Sequence, residues 1–347
     1  METIAHELGI SKSLVSLTLN DKYGVSSNMR YEIYKKAIEL GYDFNYKYKK
    51  KKPEYKRSIC IFINKEFAVS SNYFGKFLEG AEGVFVRYNY KYDLVFWDDN
   101  TTFKDIFDNI VLNIVKGFIV LKYLKEDLLN TIKALGVPIE YVDEDHYLHG
   151  DYTSVKMHNY QAGALCASYL YNKGHRNIGL VFKDNKLLSY AERFYGIRNL
   201  YELYNDRIIP EREKVNLYYS YDNTSVEEKL KKFQSCNPIP TAIICLSKDV
   251  LKEVVEVLKK YNQYKKVSLI VIDNGDIIKD FNEKITTIKS QTLKIGEIAA
   301  KNLITDIYTN ETIKKTIIIP AVIKEYNSVI DLNNNIEKRW ALKIIYF

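Results

Sequence analysis

The sequence lacks the segments that would place a protein in or across a membrane. No apolar run approaches the ~20 residues that a transmembrane helix needs, and the first ten residues hold two acidic side chains and no hydrophobic leader core. Hydrophobic and charged residues make up 46% and 27% of the chain, as is typical of globular proteins. We therefore expect a cytoplasmic protein without a membrane partner.

Residues that bind metals or cofactors, or that catalyse reactions, are equally sparse. The four cysteines and five histidines are scattered, without the spacing of a zinc site. No GxGxxG or Walker A motif is present, and the Ser, Cys and His residues form no recognisable nucleophile set. The sequence therefore predicts no metal site, no cofactor and no catalytic residues, which leaves an enzyme hypothesis without a motif.

Positive charge is concentrated near the amino end of the chain. The formal net charge is +7, and residues 1–57 hold 12 Lys or Arg against seven Asp or Glu. Residues 1–42 hold five of each sign, so the excess falls in residues 43–57. A basic segment beside a small folded domain is typical of a polyanion binder, although a solvated tail explains a charge run alone equally well.

Three short helices are predicted in residues 1–45. Apolar residues at helical spacing precede Gly9, which can end a helix because glycine readily takes a positive φ. Ser11 is a good N-cap for a second helix, and Ser26 or Ser27 for a third. Two helices joined by a tight glycine turn are typical of a helix-turn-helix, though other three-helix bundles share the pattern. The third helix is expected to bury Ile33, Ala37, Ile38 and Leu40.

The segment that follows Gly9 resembles the headpiece of the lactose/galactose repressor family. That headpiece reads roughly S-x-x-T-V-S-x-x-L-N, then V-S, R-x-x-V and L-G-Y-x-x-N. The resemblance implies a DNA-binding headpiece that recognises a double-stranded operator. The matching residues are Ser11, Val15, Ser16, Leu19, Asn20, Val25, Ser26, Arg30, Leu40, Gly41, Tyr42 and Asn45.

The resemblance assigns DNA contacts to short polar side chains of the headpiece. Lys12 and Ser13 are expected to read base edges, because the start of the second helix enters the major groove. Leu17 stands where the family commonly has Arg, so an apolar base contact replaces a bidentate one. Helix capping is the alternative for each serine. Phosphate contacts are expected from Ser11, Ser16, Asn20, Ser26 and Asn28.

The linker of residues 46–57 departs from the family further. Family members usually carry a short helix here, with a Leu that wedges into the minor groove. This sequence has no Leu in the linker, and Lys51 stands near its place. Without an apolar wedge the linker cannot kink DNA by partial intercalation, but it can bind phosphates. The phosphate-binding candidates are Lys47, Lys49, Lys50, Lys51 and Lys52.

From residue 58 onward, short apolar runs alternate with helical stretches. This alternation predicts parallel sheets, and its length suits two doubly wound lobes with a ligand cleft at the strand ends. The predicted fold is α/β: a three-helix headpiece followed by a two-lobed domain with parallel sheets. The expected boundaries are 1–45 for the headpiece, 46–57 for the linker, 58–328 for the sensor and 329–347 for a C-terminal tail.

The family resemblance continues through the sensor and implies the periplasmic-binding-protein fold. Residues 159–164 resemble D-N-x-x-G-A, residues 173–179 resemble L-G-H-R-x-I, and residues 193–196 resemble R-x-x-G. The resemblance places seven residues in an effector site: Tyr73, Phe74, Asp143, Arg193, Ser247, Asp273 and Ser290. The alternative roles are a salt bridge for Arg193, a helix cap for Asp273 and packing for the aromatics.

Taken together, these patterns predict a ligand-responsive repressor that binds a near-palindromic operator as a homodimer. Its effector is expected to be a sugar or sugar derivative, since an aromatic ring and carboxylates are assigned to the site. Lys248 stands where the family has Asp, and a lysine facing the cleft favours an anionic sugar derivative. A solute-binding component of a sugar transport system is the alternative function.

The lysine-rich linker gives the first testable prediction. Changing Lys49, Lys50, Lys51 and Lys52 together to Gln should weaken specific and non-specific DNA binding by similar factors. The slope of log affinity against log salt should fall by about two to four units, because each phosphate contact releases counterions. Binding assays at three salt concentrations measure both effects. Lys12→Ala is the control, and it should lower the ratio of specific to non-specific affinity.

A different result would give the linker another role. If the quadruple variant loses its preference for the operator while non-specific binding stays unchanged, the linker reads minor-groove shape.

Overall fold

The computed structural model describes most of the chain, with gaps. The described residues are 1–19, 25, 29, 32, 33, 36, 37, 40, 57–70, 73–107, 114–144, 152–183, 187–207, 210–220, 224–273, 284–309 and 314–333. The chain divides into two compact units. The first comprises Met1–Lys156 and Leu293–Ile317, and the second comprises Met157–Thr292 and Ile318–Phe347. The chain therefore passes between the units three times.

The elements follow one another in βα alternation after two initial helices. The helices are α1 (Glu2–Leu8), α2 (Lys12–Leu19), α3 (Lys65–Ser70), α4 (Tyr73–Arg87), α5 (Phe103–Phe107), α6 (Glu126–Ala134), α7 (Asn159–Asn172), α8 (Leu188–Asn205), α9 (Val226–Gln234), α10 (Lys248–Lys260) and α11 (Thr292–Thr309). The strands are β1 (Arg57–Asn64), β2 (Tyr90–Trp97), β3 (Val115–Leu121), β4 (Ile139–Val142), β5 (Thr153–Met157), β6 (Asn177–Val181), β7 (Asn216–Tyr218), β8 (Ala242–Cys245), β9 (Ser268–Asp273), β10 (Thr286–Lys289), β11 (Thr316–Ile319) and β12 (Val322–Lys324).

The first two helices match their sequence signals. Gly9 takes φ 62° and ends α1, and the Ser11 hydroxyl accepts a hydrogen bond from the Leu14 amide at 3.1 Å. Val15 is fully buried, as its helical spacing predicts. Leu40 was expected to be buried with the third helix, but it is 40% exposed and lies in a turn.

The third helix is described at scattered positions. Residues 29, 32, 33, 36 and 37 are helical. Ile33 and Ala37 are fully buried, as the sequence predicts. Ser26, Ser27 and Ile38 lie outside the described residues.

Each unit contains one six-stranded sheet. The order is β11-β5-β4-β3-β1-β2 in the first unit and β12-β10-β9-β8-β6-β7 in the second. The registered pairs among β1 to β10 are parallel, for example β1 with β2 and β8 with β9. The expectation of wholly parallel sheets is wrong at one place, because edge strand β12 runs antiparallel to β10.

Strands that carry no long apolar run were not predicted from the sequence. β5 reads Thr-Ser-Val-Lys-Met, and the edge strands β11 and β12 hold four and three residues with exposed positions. The short helix α3 was also missed. The sequence pattern predicts a helix over residues 104–115, but helix is described only over α5, and Val115 itself begins β3. None of the described helices is long and apolar enough to span a bilayer.

Glycines allow two helices to cross at close range in each unit. A Cβ on Gly163 of α7 would lie 2.1 Å from the Arg193 carbonyl oxygen, and one on Gly196 of α8 would lie 2.0 Å from that of Tyr160. Gly80 of α4 and Gly296 of α11 meet the backbone of the other helix in the same way, at 2.0 and 2.1 Å. No side chain larger than hydrogen fits at these crossings.

A buried acid lies between the first sheet and α11. Glu140 of β4 is fully buried, and its Oε2 accepts a hydrogen bond from the Asn302 amide of α11. Burial raises the pKa of Glu140 to about 8, with the nearby Asp306 acting in the same direction and Asn302 and Lys315 opposing it. The folded unit therefore favours the protonated carboxyl.

This burial predicts a stability that depends on pH. Because the pKa of Glu140 rises from 4.5 to about 8 on folding, the native state loses stability as the pH rises between these values. Glu140→Gln should therefore raise the free energy of unfolding at pH 8 by about 1–3 kcal/mol, with little gain at pH 5. Urea unfolding at both pH values measures this difference. Glu79→Gln, at an exposed position of α4, is the control, and an equal gain at both pH values would refute the assignment.

Candidate functional site

The carboxyl ends of β1, β3 and β4 bring a set of polar and aromatic side chains together in the first unit. We call these residues the first cluster. Parallel strands end at one edge of their sheet, which is where ligands bind in such folds. The first cluster consists of Asn64, Phe67, Tyr73, Lys122 and Asp143.

Direct contacts join the first cluster. The buried Tyr73 hydroxyl donates a hydrogen bond to Asp143 Oδ2, and the Phe67 and Tyr73 ring centroids lie 5.5 Å apart. Lys122 Nζ lies 5.8 Å from the centroid of each ring. The cluster thus combines aromatic faces, a carboxylate and a cation.

Two backbone positions in this cluster are strained. Lys122 takes φ 68° and Asp143 takes φ 46°, values that non-glycine residues rarely adopt. Such conformations persist where the surrounding structure enforces them, and they concentrate at functional sites. Here the positive φ angles change the direction of the chain where β3 and β4 end.

Tyr73 and Phe74 were both assigned to the effector site, but the structure gives them different surroundings. The Phe74 ring packs edge-on against Phe96 of β2 at 6.2 Å, whereas Tyr73 contacts Asp143. Asn64, Phe67 and Lys122 were not identified from the sequence. Asn64 and Lys122 could have been identified by their position, because they lie at the ends of the apolar strands β1 and β3.

A second cluster lies in the second unit around Arg193. Its guanidinium is almost fully buried; Nε donates to Asn159 Oδ1 at 2.9 Å and Nη1 donates to the Leu246 carbonyl at 2.8 Å. The Asn159 amide in turn donates to Glu192 at 3.1 Å. Arg193 is therefore held rigidly at the end of β8, which suits a residue that must present donors in fixed directions.

The remaining predicted residues also lie at strand ends of the second sheet. Asp273 ends β9, and its carbonyl accepts a hydrogen bond from the Ser290 amide at 3.3 Å. Ser290 is 2% exposed, and its hydroxyl has no hydrogen-bond partner within the described part of the chain. The Ser247 hydroxyl accepts from the Val250 amide at 3.4 Å, so it caps α10.

The described candidates for DNA contact lie on α2 and just before it. Ser11, Lys12 and Ser13 are exposed, and Lys12 pairs with Glu2 of α1. That ion pair lowers the pKa of Glu2. Leu17 is 36% exposed, an unusual position for a large apolar residue on a short helix. Ser16 is half-buried.

Other candidates lie outside the described residues. They are Asn20, Ser26, Asn28, Lys47, Lys49, Lys50, Lys51 and Lys52.

Comparison with known proteins extends over nearly the whole chain. The family described as a periplasmic binding protein-like domain matches residues 167–328. The HTH-type transcriptional regulator RegA of Clostridium saccharobutylicum is 25% identical over 315 residues, which cover 88% of this chain and 91% of RegA.

Solved structures share the fold at lower identity. A complex of the transcriptional regulator CelR with cellobiose aligns with a TM-score of 0.63 at 16% identity, covering 94% of this chain and 98% of the other. The lac repressor dimer bound to operator and the anti-inducer ONPF aligns with a TM-score of 0.61 at 15% identity, with the same coverage.

The chain is thus similar, over most of its length, to regulators of the lactose/galactose repressor type. This confirms the resemblance found in the sequence and the prediction of a transcription regulator. The parallel α/β fold with two sheets is confirmed as well. The two strand-end clusters are therefore the candidates for ligand contact.

Arg193 and Asp273 should respond differently to substitution. Arg193→Ala should lower the stability of the second unit by about 2–4 kcal/mol, because it leaves the Leu246 carbonyl and Asn159 without a buried donor. Asp273→Asn preserves shape and should reduce effector affinity at least about tenfold, the effect of one lost charge-assisted hydrogen bond. Thermal melting and calorimetric titration of the purified variants separate the two effects.

The assignment of Asp273 is open to refutation by the same measurements. If Asp273→Asn binds effector as the wild type does, Asp273 does not belong to the site.

Proposed function

We propose that the protein is a ligand-responsive repressor that binds a near-palindromic DNA operator as a homodimer. Residues 1–45 form the helix-turn-helix headpiece, residues 46–57 the linker and residues 58–328 the sensor. The protein acts in the cytoplasm and has no membrane partner. The similarity to the transcriptional regulator RegA over 88% of this chain carries this proposal.

The exposed start of α2 supports recognition of the DNA major groove. Lys12 and Ser13 are exposed in the first turn of α2, and in helix-turn-helix proteins the start of this second helix enters the groove. Leu17 lies one turn further along the helix and is partly exposed, so it can contact a thymine methyl group but cannot bind guanine in bidentate fashion. The operator should therefore contain an A·T pair where relatives with Arg read G·C.

The chemistry of the two clusters supports a sugar or sugar derivative as effector. Asp143 and Asp273 can accept hydrogen bonds from hydroxyl groups, Arg193 can donate to oxygens, and the aromatic residues of the first cluster can pack against a sugar ring. The fold is shared with CelR, which was solved with cellobiose. Lys122 adds a cation to the first cluster, which favours an effector that carries a carboxylate or phosphate.

Exposed apolar residues on the first unit support a dimer. β2 is the edge strand of its sheet and exposes 44% of Phe96, while Val86 at the end of α4 is 71% exposed. Exposed edge strands with apolar side chains tend to be covered by a partner. Two-fold pairing also gives the two headpieces that a near-palindromic operator requires.

The alternative of a solute-binding transport component explains less. It accounts for the sensor fold, but it gives no role to α1, α2 or the basic linker. RegA, which aligns across 91% of its length, is named a transcriptional regulator.

One experiment tests the proposed function directly. The purified protein should shift a near-palindromic fragment from its own upstream region, with affinity at least about a thousandfold above that for random DNA. A thermal-shift screen of neutral sugars, sugar acids and sugar phosphates should reveal one stabilising compound, which then changes operator affinity because the two binding events are linked. The control is a variant lacking residues 1–45, which should keep sugar binding and lose the shift. No specific fragment anywhere in the genome would overturn the proposal.

A further inference from the structure

Arg57 is the last residue of the lysine-rich linker and the only one that the structure describes, and it begins β1. Its Nη1 donates hydrogen bonds to the Tyr90 hydroxyl at 3.5 Å and the Tyr308 hydroxyl at 3.3 Å. The guanidinium also lies 5.9 and 5.6 Å from the centroids of these two rings. We call these three residues the Arg57 clamp.

The clamp joins three separate elements of the first unit. Tyr90 begins β2 and is 5% exposed, whereas Tyr308 lies near the end of α11 and is 56% exposed. Tyr308 in turn packs against Tyr88, with ring centroids 6.4 Å apart. Burial raises the pKa of Tyr90, so its hydroxyl stays protonated and remains a neutral partner of Arg57 at physiological pH.

A second cation lies close to the clamp. Burial and the charge of Arg57 lower the pKa of Lys116 on β3 to about 8. The hydroxyl of Tyr90 raises the pKa of Arg57 further, so Arg57 carries the permanent charge of this surface. The hydrogen bonds to the Tyr90 and Tyr308 hydroxyls set the position of its guanidinium.

α11 makes the clamp more than a local contact. The helix begins at Thr292, where the chain passes from the second unit into the first, and only two residues after Ser290. With 18 residues it is about 27 Å long. The Gly296 crossing with α4 and the packing of Leu303 against Gly117 of β3 hold it in the first unit. Tyr308 lies near the carboxyl end of α11, so its position is fixed by that of the whole helix.

We infer that Arg57 is a positioning residue for operator recognition, which fixes the point where the DNA-binding linker leaves the first unit by tying it to β2 and to the end of α11. This inference rests on the proposed function. Arg57 acts through the linker and the headpiece. The Tyr308 hydroxyl is the part of the clamp that connects this point to the helix that enters from the second unit.

Two simpler roles for Arg57 predict different experimental results. If Arg57 contacted a phosphate, its loss would weaken specific and non-specific binding together and reduce the salt slope by about one unit. If the clamp only stabilised the unit, its loss would lower the melting temperature and leave DNA preference unchanged. Tyr308→Phe separates these roles, because it removes one hydroxyl and leaves all charges in place.

The experiment compares Tyr308→Phe, Arg57→Ala and the double variant with the wild type on the operator fragment and on random DNA. Tyr308→Phe should weaken operator binding about three- to tenfold, the value of one typical hydrogen bond. Binding to random DNA and the salt slope should not change. The double variant should bind the operator no more weakly than Arg57→Ala alone, because both changes disrupt one clamp.

Tyr92→Phe is the matched control. Tyr92 lies on the same strand as Tyr90, and its hydroxyl donates to Glu82 at 3.1 Å rather than to Arg57. The control should bind operator as the wild type does. If Tyr308→Phe behaves like the control, or if its operator loss is matched by an equal loss on random DNA, the positioning role is overturned.

Hydrogen exchange tests the clamp without DNA. The Ser58 amide donates to the Ile114 carbonyl at 2.9 Å, and its exchange should be faster in Tyr308→Phe than in Tyr92→Phe. Equal exchange in the two variants would overturn the clamp itself. A wild type that exchanges as expected but binds no operator would instead overturn the proposed function, so the two failures are distinguishable.

Discussion

The rest of the structure depends on helix pairs that cross at backbone contact distance. In the second unit, α7 and α8 meet through Gly163 and Gly196, where a Cβ would lie about 2 Å from a carbonyl oxygen. In the first unit, α4 and α11 meet through Gly80 and Gly296 in the same manner. Because protein interiors are close-packed, these crossings fix how near the helices lie to their sheet. The sheet edge, and with it each strand-end cluster, takes its place from that packing.

The glycine crossings give a physical meaning to the family motifs. Gly163 and Gly196 are the glycines of the segments that resemble D-N-x-x-G-A and R-x-x-G. Arg193 belongs to the second segment, and its own carbonyl is what Gly163 approaches. The residue that holds the Leu246 carbonyl and Asn159 is thus placed by the same contact that packs the helices. Helix packing and the proposed effector contact therefore depend on the same turn of α8.

Much of the fold could be predicted because its strands are continuous apolar runs. β1 and β9 are almost wholly buried, so composition alone identified them. β5 and β12 could not be found this way, since β5 is mostly polar and β12 holds only three residues. For the candidate site, Arg193 and Asp143 came from the resemblance. Lys122 was missed because its place beside Tyr73 depends on the strained end of β3, which residue type does not indicate.

The three passages of the chain between units have a consequence for synthesis on the ribosome. Unit one is built from Met1–Lys156 and from Leu293–Ile317, so α11 emerges after nearly the whole second unit has been made. Until then Gly80, Gly117 and Glu140 lack the helix that covers them. Part of the first sheet therefore stays exposed while the second unit is synthesised, and chaperone protection of the first unit should matter during that interval.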